Sequence, residues 1–209
     1  MKTEKTFHMV LTGLFMAIII IMATVPNIGY INLILIKVTM VHVPVIIGSI
    51  VLGPKLGAVL GATFGITSLI NNTFNPSLLS FAFSPFYQVG NIGGNGWSVV
   101  IALLPRILVG VVPYFVYRFL VKTLPQGKIR GAVSLAVAGV AGALTNTILV
   151  MSMIYFCFRE EFAAAKDIAV EAVYDVILGI VAANGIPEAI VGAVLTMLVG
   201  GALLRAKRK

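Results

Sequence analysis

The chain has 209 residues, of which 59% are hydrophobic and only 11% charged, and its mean hydropathy is +1.06. Soluble domains carry roughly 25% charged residues, so the charge here cannot cover a soluble surface; a soluble enzyme, a nucleic-acid-binding domain and a disordered chain are excluded. A net charge of +8 then reads as membrane topology rather than as a nucleic-acid partner.

A membrane helix takes about 20 predominantly apolar residues, enough material here for about six. Taken in chain order, apolar spans are expected at 9–26, 41–52, 56–70, 98–120, 129–158 and 174–204. A mixed polar and apolar connection, 27–37, follows the first. Gly53-Pro54-Lys55-Leu56-Gly57 reads as a tight turn between the second and third. Those two spans are short, so the bilayer thins around them, flanking residues extend them, or they form a hairpin that stops short of crossing. The connection 74–97 is long and aromatic, with Phe74, Phe81, Phe83, Phe86, Tyr87 and Trp97. It reads either as a lid over the outer mouth or as an interfacial aromatic belt. Residues 159–172 read as a short polar surface helix.

Six crossings place both termini on one side. Eleven Lys and Arg then lie on that side, at 2, 5, 55, 118, 122, 128, 130, 205 and 207–209, against Lys37, Arg159 and Lys166 on the other. The positive-inside rule makes both termini cytoplasmic. The expected fold is therefore an all-α membrane protein forming a single domain over 1–209. The first span lacks an Ala-x-Ala cleavage site and reads as retained. No internal repeat is visible, which counts against transporters built from matching halves.

Cys157 stands alone, and His8 and His42 are far apart, so no disulfide or metal site is expected. No metalloprotease, nucleophile-elbow or phosphate-loop motif occurs. The chain is not expected to be an enzyme or to hold a cofactor. Any nucleotide chemistry must come from another chain.

Polar residues inside spans need partners. Arg106 lies eight residues into the fourth span, about 12 Å deep at 1.5 Å per residue. Asn146 sits in Leu144-Thr145-Asn146-Thr147, and Asn184 and Glu188 share a helix face in Asn184-Gly185-Ile186-Pro187-Glu188. Pro187 frees backbone carbonyls nearby. One reading is a polar pocket in the outer half of the bundle, with Arg106 as counter-ion to an anionic solute and the asparagines bonding its amide or hydroxyl groups. The other is a structural Arg106–Glu188 ion pair with asparagines bridging helices. Gly57, Gly61 and Gly65, and Gly139, Ala143 and Thr147, step at every fourth position and read as close helix packing. Gly13 and Ala17 make a small pair on an otherwise bulky first span, a docking face for a partner.

Several stretches together resemble a known family. They are His42-Val43-Pro44-Val45-Ile46-Ile47-Gly48, Leu52-Gly53-Pro54-Lys55-Leu56-Gly57, Phe64-Gly65-Ile66-Thr67-Ser68, Phe83-Ser84-Pro85, Pro105-Arg106-Ile107-Leu108-Val109-Gly110, Gly142-Ala143-Leu144-Thr145-Asn146-Thr147 and Asn184-Gly185-Ile186-Pro187-Glu188-Ala189. The chain resembles the substrate-binding S component of an energy-coupling factor (ECF) vitamin transporter, most nearly the pantothenate-type branch. The resemblance implies a six-helix bundle with a site near the outer surface, closed by the loops after the first and third spans. The candidate substrate-binding residues are Arg106, Asn146, Asn184 and Glu188 together with Asn72, Thr73 and Ser84. The resemblance also implies a transmembrane coupling subunit and two cytoplasmic ATPases as partners, with ATP hydrolysis there driving the S component to topple. Docking through small residues of the first helix falls on Gly13 and Ala17, with Gly where the family usually has Ala. Riboflavin, folate and thiamine remain alternative solutes, as does a channel or proton-coupled carrier that uses Arg106 and Glu188 as filter or relay. A membrane scaffold without a solute ranks below both.

Overall fold

The computed structural model describes residues 2–25, 29–33, 36–90, 92–127 and 129–207. Pro26 and Asn27, where the sequence ends the first span, and Lys128, Arg208 and Lys209 of the charge count lie outside them. Nine α-helices and two small hairpins are present among the described residues.

α1 (Lys2–Thr24) buries Thr12, Phe15, Ile19 and Ala23 at three- and four-residue steps, while Met9, Val10, Leu14, Ile18 and Ile21 stay exposed. That one-sided pattern is the mark of a helix packed along a single stripe. The strands β1 (Tyr30–Leu33) and β2 (Ile36–Thr39) then pair antiparallel within and just beyond the expected connection 27–37. The Met40 N–H donates to the Gly29 carbonyl at 2.8 Å and closes the base of this hairpin.

α2 (His42–Leu52) has every residue buried. Its 11 residues rise only about 16 Å at 1.5 Å each, far short of a hydrocarbon core of about 30 Å. Protein rather than lipid surrounds it, and buried backbone can depart from full-length spanning geometry. Gly53 (φ 95°) makes the turn into α3 (Pro54–Phe74), a backbone conformation open to glycine. Pro54 opens the new helix, where its missing N–H is no loss. α3 runs four residues past the expected end at 70, so Asn71, Asn72 and Thr73 are helical.

The connection to α4 holds a 3₁₀ turn at Ser80–Ala82 and a hairpin of β3 (Gln88–Val89) and β4 (Ile92–Gly93). Asn95 caps α4 (Gly96–Val109) by accepting from the Trp97 N–H at 2.8 Å, and Ser98 Oγ accepts from the Asn95 N–H at 3.0 Å. The expected single span 98–120 is two helices, broken at Gly110 and Val111 before α5 (Val112–Thr123). Pro113 stands in the first turn of α5 and cannot continue the ladder from α4. α6 (Arg130–Cys157) is unbroken, and α7 (Arg159–Lys166) is the short polar helix. The last span is α8 (Val173–Leu195), a wide π turn at Thr196–Gly200 and α9 (Gly201–Lys207).

Among the described residues, four helical stretches are long and apolar enough to cross a membrane: Lys5–Thr24, Gly96–Thr123, Arg130–Cys157 and Val170–Ala206. Large apolar side chains stay exposed along all of them, as a lipid-facing surface requires. One buried cluster centres on α1, α2 and α3, with Ile19, Ile46, Leu60 and Phe64. A second lies under the 74–97 connection, where Phe81 and Phe158 meet edge to face at 5.7 Å.

Candidate functional site

Two helix pairs approach so closely that backbone touches backbone. A Cβ on Gly57 would collide with the Gly110 carbonyl, and one on Gly61 with the Arg106 carbonyl. One on Gly65 would come within 2.8 Å of the Ala102 carbonyl. The glycine stripe of α3 is thus fitted to α4 at the same four-residue step. On the other side a Cβ on Gly139 of α6 would meet the Gly192 carbonyl of α8. The first pair carries Arg106 and the second carries Asn146, Thr147 and Glu188.

These pairs enclose a cavity of about 260 Å³. Arg106, Asn146, Asn184, Glu188 and Asn72 all line it. Arg106 is buried, with 7% of its surface exposed, at the last turn of α4. Pro105 has no N–H to give the Ile101 carbonyl four residues back. That freed carbonyl accepts instead from Arg106 Nη1 at 2.7 Å. The guanidinium also stands over the rings of Phe83 (4.9 Å) and Phe64 (5.6 Å), which favour a cation on their faces. One arginine is therefore fixed by its preceding proline, by its own helix and by the loop.

Glu188, 5% exposed, accepts from the Thr39 backbone N–H at 2.9 Å and from the Thr147 hydroxyl at 2.9 Å. The described hydrogen bonds of its carboxylate thus go to the hairpin and to α6, and the Arg106 charge acts on it through space. Asn146 Oδ1 is buried and receives no hydrogen bond among the described residues. It is a buried, unsatisfied acceptor on a residue that lines the cavity, and an N–H or O–H is the group it suits. Asn184 is half-buried on the same wall.

Asn72 has a second task. Its amide donates to the Ser68 carbonyl at 2.8 Å and its carbonyl accepts from Ser80 Oγ at 2.7 Å, while the Ser77 N–H donates to Ser80 Oγ at 2.8 Å. This chain pins the start of the 74–97 connection to α3. Thr73 and Ser84 lie outside the cavity lining; their hydroxyls bond each other at 2.7 Å and fasten the same connection. The six aromatics of that connection divide. Phe81 is buried, Phe83 lies against Arg106, and Tyr87 is half-buried, whereas Phe74, Phe86 and Trp97 face outward.

Sequence reasoning did not single out Thr39, Asn71, Asn75 or Ser77, which also line the cavity. The paired Asn71-Asn72 at the end of an apolar run was a usable signal. Thr39 stands in the connection after the first span, where no local pattern marked it, and its backbone N–H bonds Glu188. Gly13 and Ala17 lie on the exposed face of α1, and a Cβ on Gly13 would meet nothing within 4 Å.

Residues 7–200 match the family model described as "ECF transporter, substrate-specific component". The chain is 35% identical over 210 residues to the "Pantothenic acid transporter PanT" of Lactococcus lactis subsp. cremoris, covering 99% of this chain and 98% of the relative. It is 29% identical over 210 residues to the "Pantothenate transporter PanT" of Leuconostoc mesenteroides subsp. mesenteroides, covering 98% and 95%.

Proposed function

We propose, from the premise that the chain belongs to the ECF transporter substrate-specific components, that it is the pantothenate-binding subunit of an ATP-driven importer. The observation that carries this reading is one buried guanidinium and one unsatisfied amide acceptor on residues that line the same small cavity. Pantothenate has one carboxylate, one amide and two hydroxyls. Arg106 takes the carboxylate, Asn146 Oδ1 accepts from the solute's amide or hydroxyl, and Asn184 and the remaining lone pairs of Glu188 bond the other polar groups. The cavity of about 260 Å³ lies just below the usual range of small-molecule clefts, roughly 300–1,000 Å³. That size favours a compact solute over riboflavin or folate. Asn72, Thr73 and Ser84 serve the site by holding the connection over it. A cationic solute such as thiamine is the second reading, supported by Glu188 on the cavity wall.

Six crossings with both termini cytoplasmic fit the charge count of eleven against three. α2 and α3 then cross inside the bundle, and the site opens outward. Coupling needs partners: a transmembrane subunit docking on Gly13 and Ala17, and two ATPases whose hydrolysis topples this subunit to release the vitamin inward.

Calorimetric titration of the purified chain with pantothenate, and with thiamine in parallel, tests the reading. Near-stoichiometric, tight pantothenate binding is expected without any partner. Thiamine binding with no pantothenate binding by the same folded sample would overturn it.

A further inference from the structure

A second cavity, of about 290 Å³, lies between α5, the first turn of α6 and the last span. Asn146 and Arg130 are sixteen residues apart on α6, about 24 Å along its axis, so this cavity is remote from the first. Tyr117, Arg130 and Arg205 line it, over an apolar wall of Leu135, Met197 and Leu204. Two arginines from different helices share one space, and residues 112–135 and 196–209 contain eight Lys and Arg and no Asp or Glu. Like charges brought together repel, and these two segments hold no acid to offset them. Oxyanions of phosphate match paired guanidinium groups, which bind them through two parallel N–H donors.

The surroundings are amphipathic. Phe119, Ile129 and Leu198 are exposed, and all three sit on the elements that frame the cavity. The π turn at Thr196–Gly200 widens the last span at this level, a distortion frequent at functional sites. Gly200 and Gly201 put no side chain beside Leu135. A charged mouth over an apolar wall suits a molecule with a phosphate at one end and hydrocarbon at the other.

We propose that this cavity holds the phosphate headgroup of an anionic phospholipid, with its acyl chains along Ile129 and Leu198. Basic pockets between membrane helices bind such headgroups. A choline headgroup would bring a further cation to a region with no acid, so discrimination against zwitterionic lipid follows. The inference rests on the multi-pass membrane fold and not on the identity of the transported solute.

Thermal unfolding of the full chain in detergent, titrated with phosphatidylglycerol, phosphatidylcholine or inorganic phosphate, tests it. Phosphatidylglycerol is expected to raise the midpoint saturably. Its half-saturating concentration should rise at least tenfold in Arg130→Gln and in Arg205→Gln. Arg205 is exposed near the end of the last helix, so its variant keeps the fold, which unchanged pantothenate titration checks at the far site. Equal stabilisation by phosphatidylcholine, or a response to phosphatidylglycerol undiminished in both variants, would overturn the proposal. Inorganic phosphate acting at the same concentration as the lipid would overturn the lipid assignment in favour of a free anion. Failure of pantothenate binding in the parent protein would count against the transport reading alone.

Discussion

Pro105 and Arg106 work as a unit: the proline leaves the Ile101 carbonyl without its helical donor, and the next side chain supplies one from Nη1. The arginine is held by its own helix and still presents its charge to the cavity. Removing it leaves a carboxylate solute desolvated with no counter-ion, a loss of about 2–5 kcal/mol for buried charge pairs. Arg106→Ala is therefore expected to weaken pantothenate binding at least 30-fold by calorimetry while the protein still inserts and purifies. Arg106→Lys keeps the charge but not the planar fork, and an intermediate loss is expected. Binding at parental affinity by the alanine variant would remove the counter-ion role.

The helices around this residue are placed by what their sequences omit. Gly57, Gly61 and Gly65 let α3 reach the α4 backbone, and no side chain at Gly61 avoids the Arg106 carbonyl. Overpacking costs about 1–3 kcal/mol, and backbone has little freedom to yield. Gly61→Ala should lower the melting temperature by several degrees and weaken the solute through the displaced α4. Gly179→Ala is the control: a Cβ there meets nothing within 4 Å, and exchanging a mid-helix glycine for alanine usually stabilises. Equal melting temperatures for both variants would refute the close-approach argument. The apolar stretches behind these helices could be read directly, because hydrophobicity alone marks them. The glycine steps showed that helices pack closely, though not which partner they meet. The break at Gly110 and Val111 was hidden, since apolar composition runs through it unchanged. The β1–β2 hairpin was hidden too, because Tyr30-Ile31-Asn32-Leu33 is too short a pattern to separate a strand from a loop. Of the site, the charged and amide side chains on helices were legible. The contributions of Thr39 and of the serines that pin the connection depend on contacts that no local pattern encodes.

Across the whole molecule, the cavity lined by Arg106 and Asn146 and the exposed face of α1 are separate structures. Gly13 and Ala17 point away from the bundle, beside Met9, Leu14 and Ile18, which are also exposed. A Cβ at Gly13 meets nothing within 4 Å, and a bulky residue at either exposed position would hold a partner helix off. Gly13→Leu and Ala17→Leu are expected to abolish uptake in cells carrying the whole importer, with pantothenate affinity of the purified subunit unchanged. Normal uptake by both variants would dismiss α1 as the docking face.

The hydrogen bond from Thr39 to Glu188 joins residues 149 positions apart. During synthesis the N-terminal helices enter the bilayer long before the last one leaves the ribosome. Until then Glu188 is missing both as acceptor for the Thr39 N–H and as the carboxylate on which the Arg106 charge acts. On the proposed assignment, recognition is the last property the nascent chain acquires. A chain truncated before α8 is expected to insert and yet to bind no pantothenate.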